Sequence, residues 1–531
     1  MEQPEPHAGE QRALETDHRC RPDYEVAIIG AGLSGIGMAI ALRRAGIDDV
    51  IVLERAGAIG GTWRDNTYPG VGVDVPSQSY QFSYALKPDW SRIFAKGHEV
   101  LDYIEDCADR FDVRRHVRLN SEVRARRWDE QAQLWRLEVG DEEITGRFVI
   151  SAIGCFVDPK PAAIPGVDDF RGPVLRSAAW DHDVDLTDKR VAIVGTGASA
   201  VQIIPEIAGS VSRLDVYQRT PIWVGPKLDA MMPRAAQALF RRAPAIQEPV
   251  RAASTRTMEA VLVNLAVHHD RVSPVTRAAG WVARNVWYRA QVRDPDVRRR
   301  LTPDYEIGCK RPAVSNSYLR AFNRQNVELV TDPIDRVLPG GIRTIEGDER
   351  EVDVLILATG FRVSTDPENF RRTPVRGRDD FDLATFYAEN RAQSYESVSM
   401  PGLPNHFMIF GPYGWTGGTW HVLVETASRH IVRVIEEARL RGTPEVEVRP
   451  EAAERWTRFA VDRLSRSVWQ QGDCSTANSY YVDPHGDATF LRPTSARQAR
   501  RAARTFPLED YEFRDPTKTD AREDLGTVVA P

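Results

Sequence analysis

An α/β fold built from two doubly wound parallel-sheet units, with a helical insert in the second, is what the sequence predicts, on three observations. Gly30-Ala31-Gly32-Leu33-Ser34-Gly35 follows the apolar run 26–29 and leads into a stretch rich in Ala, Met, Ile and Leu. Gly195-Thr196-Gly197-Ala198-Ser199-Ala200 repeats that arrangement after the apolar run 191–194. Each copy is followed much later by a buried-strand pattern ending in small residues, Ser151-Ala152-Ile153-Gly154 in one and Ala358-Thr359-Gly360 in the other. A glycine-rich hexapeptide alone says little, but the repeat of the whole strand, turn and helix pattern says much more.

The order of residues in each copy has a physical reading. The first Gly allows a sharp turn, the second lets the backbone approach a pyrophosphate, and the third position lets the helix pack on its strand. The phosphates then sit at the positive end of the helix. Both units are therefore expected to be Rossmann-like dinucleotide-binding domains. The next strand of the first unit, 50–53, ends at Glu54, 22 residues beyond Gly32, where a carboxylate accepts hydrogen bonds from a ribose hydroxyl pair. Arg219 stands at the same spacing beyond Gly197. A guanidinium there pairs with a 2′-phosphate that a carboxylate would repel, so NADP is expected in the second unit and an adenosine without that phosphate in the first.

The totals bound the rest. At 531 residues the chain is too long for one core, so two or three domains are expected. Its 70 basic and 76 acidic side chains give a net charge of −6, which over the whole chain offers no electrostatic case for nucleic acid or an anionic membrane. The five cysteines, Cys20, Cys107, Cys155, Cys309 and Cys474, show neither CxxC nor zinc-ligand spacing. Reduced thiols in a cytoplasmic protein without a metal site are the expectation. No apolar run is long enough to span a bilayer and no secretion signal opens the chain, so a soluble protein is expected.

In chain order, residues 1–22 read as a mobile polar extension and 23–160 as the first part of the first nucleotide domain. Turn-formers and large aromatics at Gly60-Gly61-Thr62-Trp63, Tyr68-Pro69-Gly70 and Asp74 predict a loop folded over a ligand. Residues 161–227 begin the second domain, and 228–300, poor in Gly and rich in Ala, Arg, Val and Trp, read as a helical insert. The second domain resumes over 301–385, and 386–516, with no further strand–glycine–helix unit, completes the first. A charged tail follows from 517 to 531.

With these residues assembled, residues 24–513 resemble the class B flavoprotein monooxygenases, and most closely the Baeyer-Villiger monooxygenases. The family's loop pattern is met by Gly60, Gly61, Trp63, Tyr68, Pro69, Gly70 and Asp74. Its fingerprint falls on Phe170, Gly172, Trp180 and Asp181, with Arg176 where the family has a histidine tied to coupling domain motion with catalysis. The resemblance implies FAD in the first domain and NADPH in the second. It implies oxidation of a ketone by O2 to an ester or lactone through a C4a-peroxyflavin, with Arg311 as the active-site arginine and Asp74 as the acid beside it. By the same resemblance Lys310, Arg219 and Thr220 hold the 2′-phosphate.

The cofactor-binding set is thus Gly30, Gly32, Gly35, Glu54, Gly61, Thr62, Trp63, Asp74, Gly195, Gly197, Ser199, Ala200, Arg219, Thr220, Lys310, Ala358, Thr359 and Gly360. Tyr413 and Trp415 either line the substrate pocket or anchor a loop. His182 and His421 have no partner visible in the sequence and are given no catalytic role. Sulfur or nitrogen oxidation, an NADPH oxidase releasing peroxide, and a sensor binding both nucleotides without turnover remain as alternatives. A monomer or weak homo-oligomer is expected.

Overall fold

The computed structural model describes residues 21–515; the expected N-terminal extension, except for its last two residues, and the charged tail lie outside them. Two sheets organise the chain. The first runs Val375–Arg376, Val123–Asp129, Leu134–Val139, Glu142–Ser151, Tyr24–Ile29, Val50–Leu53 and Val117–Arg118, with His406–Met408 pairing on Glu142–Ser151. Strand Glu142–Ser151 serves two partners on one side because it is long. Its first half pairs antiparallel with Leu134–Val139, and its last residues pair in parallel with His406–Met408. The second sheet is wholly parallel, in the order Val327–Val330, Arg213–Tyr217, Arg190–Val194, Val354–Leu357 and Val174–Arg176.

The central strands are continuous apolar runs, as parallel strands covered on both faces must be. Tyr24–Ile29 is buried over its last four residues and Val50–Leu53 throughout. Helix Leu33–Arg44 packs against the long helix Trp420–Arg441 of the C-terminal third. The approach is close: a Cβ on Gly37 would come within 2.7 Å of both Phe82 and Val424. Two short antiparallel strands, Phe156–Pro159 and Phe361–Val363, form the double crossing between the sheets. The chain regains the first sheet at Val375–Arg376, ahead of the boundary at 386 drawn from sequence. Residues 228–300 are largely helical, including Arg234–Arg242, Pro244–Ala266, His269–Val282 and Pro295–Leu301.

The thiol expectation is corrected. Cys309 and Cys474, 165 residues apart, form a disulfide, while Cys107 and Cys155 are free. No spacing rule could pair them, because only the packing of residues 304–311 against 473–481 brings them together. Among the described residues no helix is long and apolar enough to cross a membrane.

Candidate active site

Strand Tyr24–Ile29 delivers its chain into a turn that only glycine fits. Gly30 has φ +102°, and a Cβ there would lie 2.9 Å from the Ala152 carbonyl oxygen. The helix that follows starts at Gly32, where no side chain caps the first turn. Gly61 faces it from the second glycine turn, with its would-be Cβ 3.0 Å from the Gly32 Cα. The Gly60 amide donates to the Ala31 carbonyl at 3.0 Å, so the two glycine turns are held back to back. Glu54, buried at the end of its strand, accepts from the amides of Ala31 (2.8 Å) and Ala56 (3.0 Å) and pairs with Arg64 at 3.1 Å. A carboxylate has about four acceptor sites, so these contacts orient Glu54 and leave capacity for a ribose hydroxyl. Thr62 opens the short helix Thr62–Asp65, and Trp63 donates from Nε1 to the Tyr80 hydroxyl at 3.2 Å.

The second unit repeats this geometry. Gly195 has φ +114°, and its Cβ would strike the Ala358 carbonyl oxygen at 2.4 Å. Gly197 has open space around it and no side chain caps helix Ala198–Ile207, with Ser199 part-exposed and Ala200 buried in its first turn. Thr196 Oγ1 donates to the Thr220 carbonyl at 2.8 Å, and Thr359 Oγ1 to the Lys160 carbonyl at 3.2 Å beside Gly360. Arg219 is exposed just past strand Arg213–Tyr217. Burial, and then the Arg219 charge, hold the Lys310 ammonium below its ordinary pKa. Among the described residues neither cation has an ion-pair partner. Two like charges left close without an anion match a phosphate that binds between them.

Between the units, the Arg311 guanidinium grips Asp74 through two bonds, Nε to Oδ2 at 2.9 Å and Nη2 to Oδ1 at 2.8 Å. It also lies 5.1 Å over the Trp415 ring. Burial acts to lower its pKa, but Asp74, with Tyr481 and Tyr480, outweighs this and holds it well above the ordinary value. The sequence-predicted pair is thus brought together. Tyr413 and Trp415 part company. Trp415 donates from Nε1 to the Gly418 carbonyl at 3.0 Å and forms the floor under Arg311. Tyr413 is fully buried and packs edge-on to Trp456, in the role of a loop anchor.

The sequence reading missed the opposite wall. Tyr481 stacks with Trp415 at 6.3 Å, and Tyr480 meets Phe156 and Phe490, each at 5.3 Å. Cys155 sits beside them, its thiol pushed up to about 12 by burial against the opposing pull of Arg311. The signal was the aromatic pair Tyr480-Tyr481 in a stretch rich in Gly, Asp and Pro, the same composition that marked the first loop.

Arg176 ends the edge strand Val174–Arg176 beside Leu357, and its side chain makes no ion pair among the described residues. His182 meets the Thr67 hydroxyl at 2.9 Å, tying the fingerprint segment to the first domain. His421 is buried among Tyr80, Phe82 and Tyr103.

Two glycine turns, each following a central parallel strand of its own sheet, with an acid beside one and a pair of free cations beside the other, define a two-nucleotide oxidoreductase. A family model described as pyridine nucleotide-disulphide oxidoreductase matches residues 27–230. A Baeyer-Villiger monooxygenase of Streptomyces coelicolor is 38% identical over 92% of this chain and 93% of its own length. The crystal structure of OTEMO complexed with FAD and NADP superposes with a TM-score of 0.83 at 29% identity, covering 93% of this chain and 100% of that one. An ε-caprolactone-bound cyclohexanone monooxygenase superposes with a TM-score of 0.80 at 26% identity, covering 92% and 99%. The chain belongs to the Baeyer-Villiger monooxygenase family.

Proposed function

We propose that this protein is an FAD-containing, NADPH- and O2-dependent monooxygenase that converts a ketone to an ester or lactone, with Arg311 and Asp74 at its active site. FAD fits the first unit, where the helix start at Gly32 has no side-chain cap to compete with a pyrophosphate and Glu54 keeps free acceptor capacity. NADPH fits the second, between Gly197, Arg219, Thr220 and Lys310. When bound and reduced by NADPH, FAD supplies the activation of molecular oxygen.

The protein's part is electrostatic. Arg311 stays protonated at any working pH and offers fixed donors to negative charge that develops on oxygen during attack on the ketone carbonyl. Asp74 fixes the plane of that guanidinium by gripping two of its nitrogens. Trp415, Tyr480, Tyr481, Phe156 and Phe490 supply apolar and aromatic surface around it, which suits a hydrophobic ketone and limits water near the charge.

The observation that carries this reading is the Asp74–Arg311 pair, since nucleotide binding alone does not require Arg311. Purified protein with FAD, NADPH and air should turn a panel of cyclic, linear and aryl ketones into esters in step with NADPH consumed. NADPH loss that yields only hydrogen peroxide, whatever ketone is added, would favour the oxidase reading. That second reading rests on Arg176 at the fingerprint histidine position.

A further inference from the structure

The net charge of −6 hides an uneven distribution. Residues 234–293 hold ten arginines and no lysine against three carboxylates, Glu248, Glu259 and Asp270. From 271 to 293 there are five arginines and no carboxylate at all. The insert also gathers exposed apolar surface. Of the fourteen exposed large hydrophobic side chains among the described residues, ten lie between Leu228 and Val286. Single exposed apolar residues are ordinary, but their concentration on one element is not.

Helix His269–Val282 continues through a π-helical turn, Ala283–Trp287, into Tyr288–Gln291. Its inner face is already packed. Thr276, Gly280 and Tyr288 are buried, and the Arg284 guanidinium lies 5.2 Å over the Trp223 ring. Its outer face shows Val275 (67% exposed), Ala278, Ala279, Val282 (49%) and Val286 (57%) at helical spacing, with Trp281 (63%) alongside. Arg271 precedes this stripe and Arg289 follows it, both exposed and neither in an ion pair among the described residues. Arg277, 3.6 Å from Glu306, is itself mostly exposed.

We propose that this face docks the enzyme on an anionic lipid surface. Trp281, Val282 and Val286 enter the headgroup boundary while Arg271, Arg277 and Arg289 meet lipid phosphates. An apolar stripe of Val and Trp with arginine at both ends, and Asp270 at the helix start as the one carboxylate between 269 and 291, is the composition of a helix lying in a membrane interface. Charge argues against a second copy as the occupant, because an isologous contact would set one arginine-rich face against another. The attachment is peripheral, since no helix among the described residues is long and apolar enough to span.

The test is co-sedimentation of the FAD-loaded enzyme with sucrose-loaded vesicles, phosphatidylglycerol mixed with phosphatidylcholine against phosphatidylcholine alone. Each arginine near an anionic surface multiplies binding by about five-fold. The wild type should therefore sediment at least about ten-fold better with the anionic vesicles, and lose that preference in high salt. The double variant Trp281→Gln/Val282→Gln should lose binding while keeping its FAD content and NADPH oxidation rate. Equal sedimentation with both vesicle types, or unchanged sedimentation of the variant, overturns the proposal. A concentration-dependent dimer in ultracentrifugation that the same variant breaks, without vesicle binding, overturns it in favour of self-association.

Discussion

Arg311 and Asp74 join the two halves of the molecule at one point. The arginine follows the helical insert of the second domain, the aspartate closes the loop after the first glycine turns, and two hydrogen bonds of 2.9 and 2.8 Å link them. Nearby, Tyr68 donates to Gln202 at 3.0 Å and Gln202 donates to the Gly72 carbonyl at 2.9 Å, so the same loop also rests on the second domain's helix. The orientation of Arg311 therefore depends on how the domains sit. Arg311→Ala is expected to cut ketone oxidation by ~10²–10³, as loss of an oxyanion donor does. Asp74→Ala leaves the cation on Trp415 without its clamp and should cost about 10–10². Ester yield per NADPH measures both, and an unchanged yield in Arg311→Ala would remove the assigned role.

Arg219 has no acid to pair with among the described residues, so its charge is available to a 2′-phosphate. Hydrogen bonds to charged groups contribute about 1.5–3 kcal/mol. Arg219→Ala should accordingly raise the KM for NADPH by about 10–100-fold while leaving the KM for NADH nearly unchanged. Parallel loss with both nucleotides would assign Arg219 to general packing instead.

If Lys310 holds the 2′-phosphate as proposed, NADPH binding should be sensitive to pH. Burial, then Arg219, lowers its pKa from the ordinary lysine value. Only the protonated ammonium attracts a dianionic phosphate, so affinity is fullest where the lysine is charged and the phosphate dianionic, and falls as pH rises through the Lys310 pKa. The sign is fixed by which form binds: bound phosphate favours the charged lysine and raises its pKa in the complex. KM for NADPH should climb on the alkaline side of neutrality. Lys310→Met should have a higher KM and no such climb.

What the sequence could disclose followed from local spacing. The Gly30 and Gly195 turns, Glu54 and Arg219 each lie within one strand–turn–helix unit, where a fixed number of residues fixes position. The Asp74–Arg311 pair came from resemblance, since 237 residues separate its members. Trp415 and Tyr413 lie two apart in one loop, yet one faces the site and the other the core. That choice is made by the φ of +59° at Tyr413 and by Trp456 packed behind it, neither of which composition can report. The wall of Tyr480 and Tyr481 and the disulfide were illegible for the same reason: both arise where distant segments pack.

The Cys309–Cys474 disulfide ties the segment carrying Lys310 and Arg311 to the loop carrying Tyr480 and Tyr481. Weaker bonds run in parallel with it. Trp469 Nε1 donates to the Cys309 carbonyl at 3.0 Å, the Glu306 amide to the Asp473 carbonyl at 3.2 Å, and Thr476 to Asp304 at 2.8 Å. Reduction should therefore loosen this corner without unfolding the chain. Removing such a cross-link costs about 2–4 kcal/mol where the native geometry is unstrained, because it restores freedom to the unfolded chain. Cys309→Ser should lower the unfolding midpoint and raise the KM for ketone more than it changes the KM for NADH, since the tyrosine wall moves relative to Arg311. Thiol titration in denaturant gives the direct check. With five cysteines in the chain and one disulfide among the described residues, three thiols are expected to react before reduction and five after. Five reacting thiols in protein purified without reductant would mean that the two sulfurs pack together unbonded, and the Cys309→Ser effects would then shrink to those of a lost van der Waals contact.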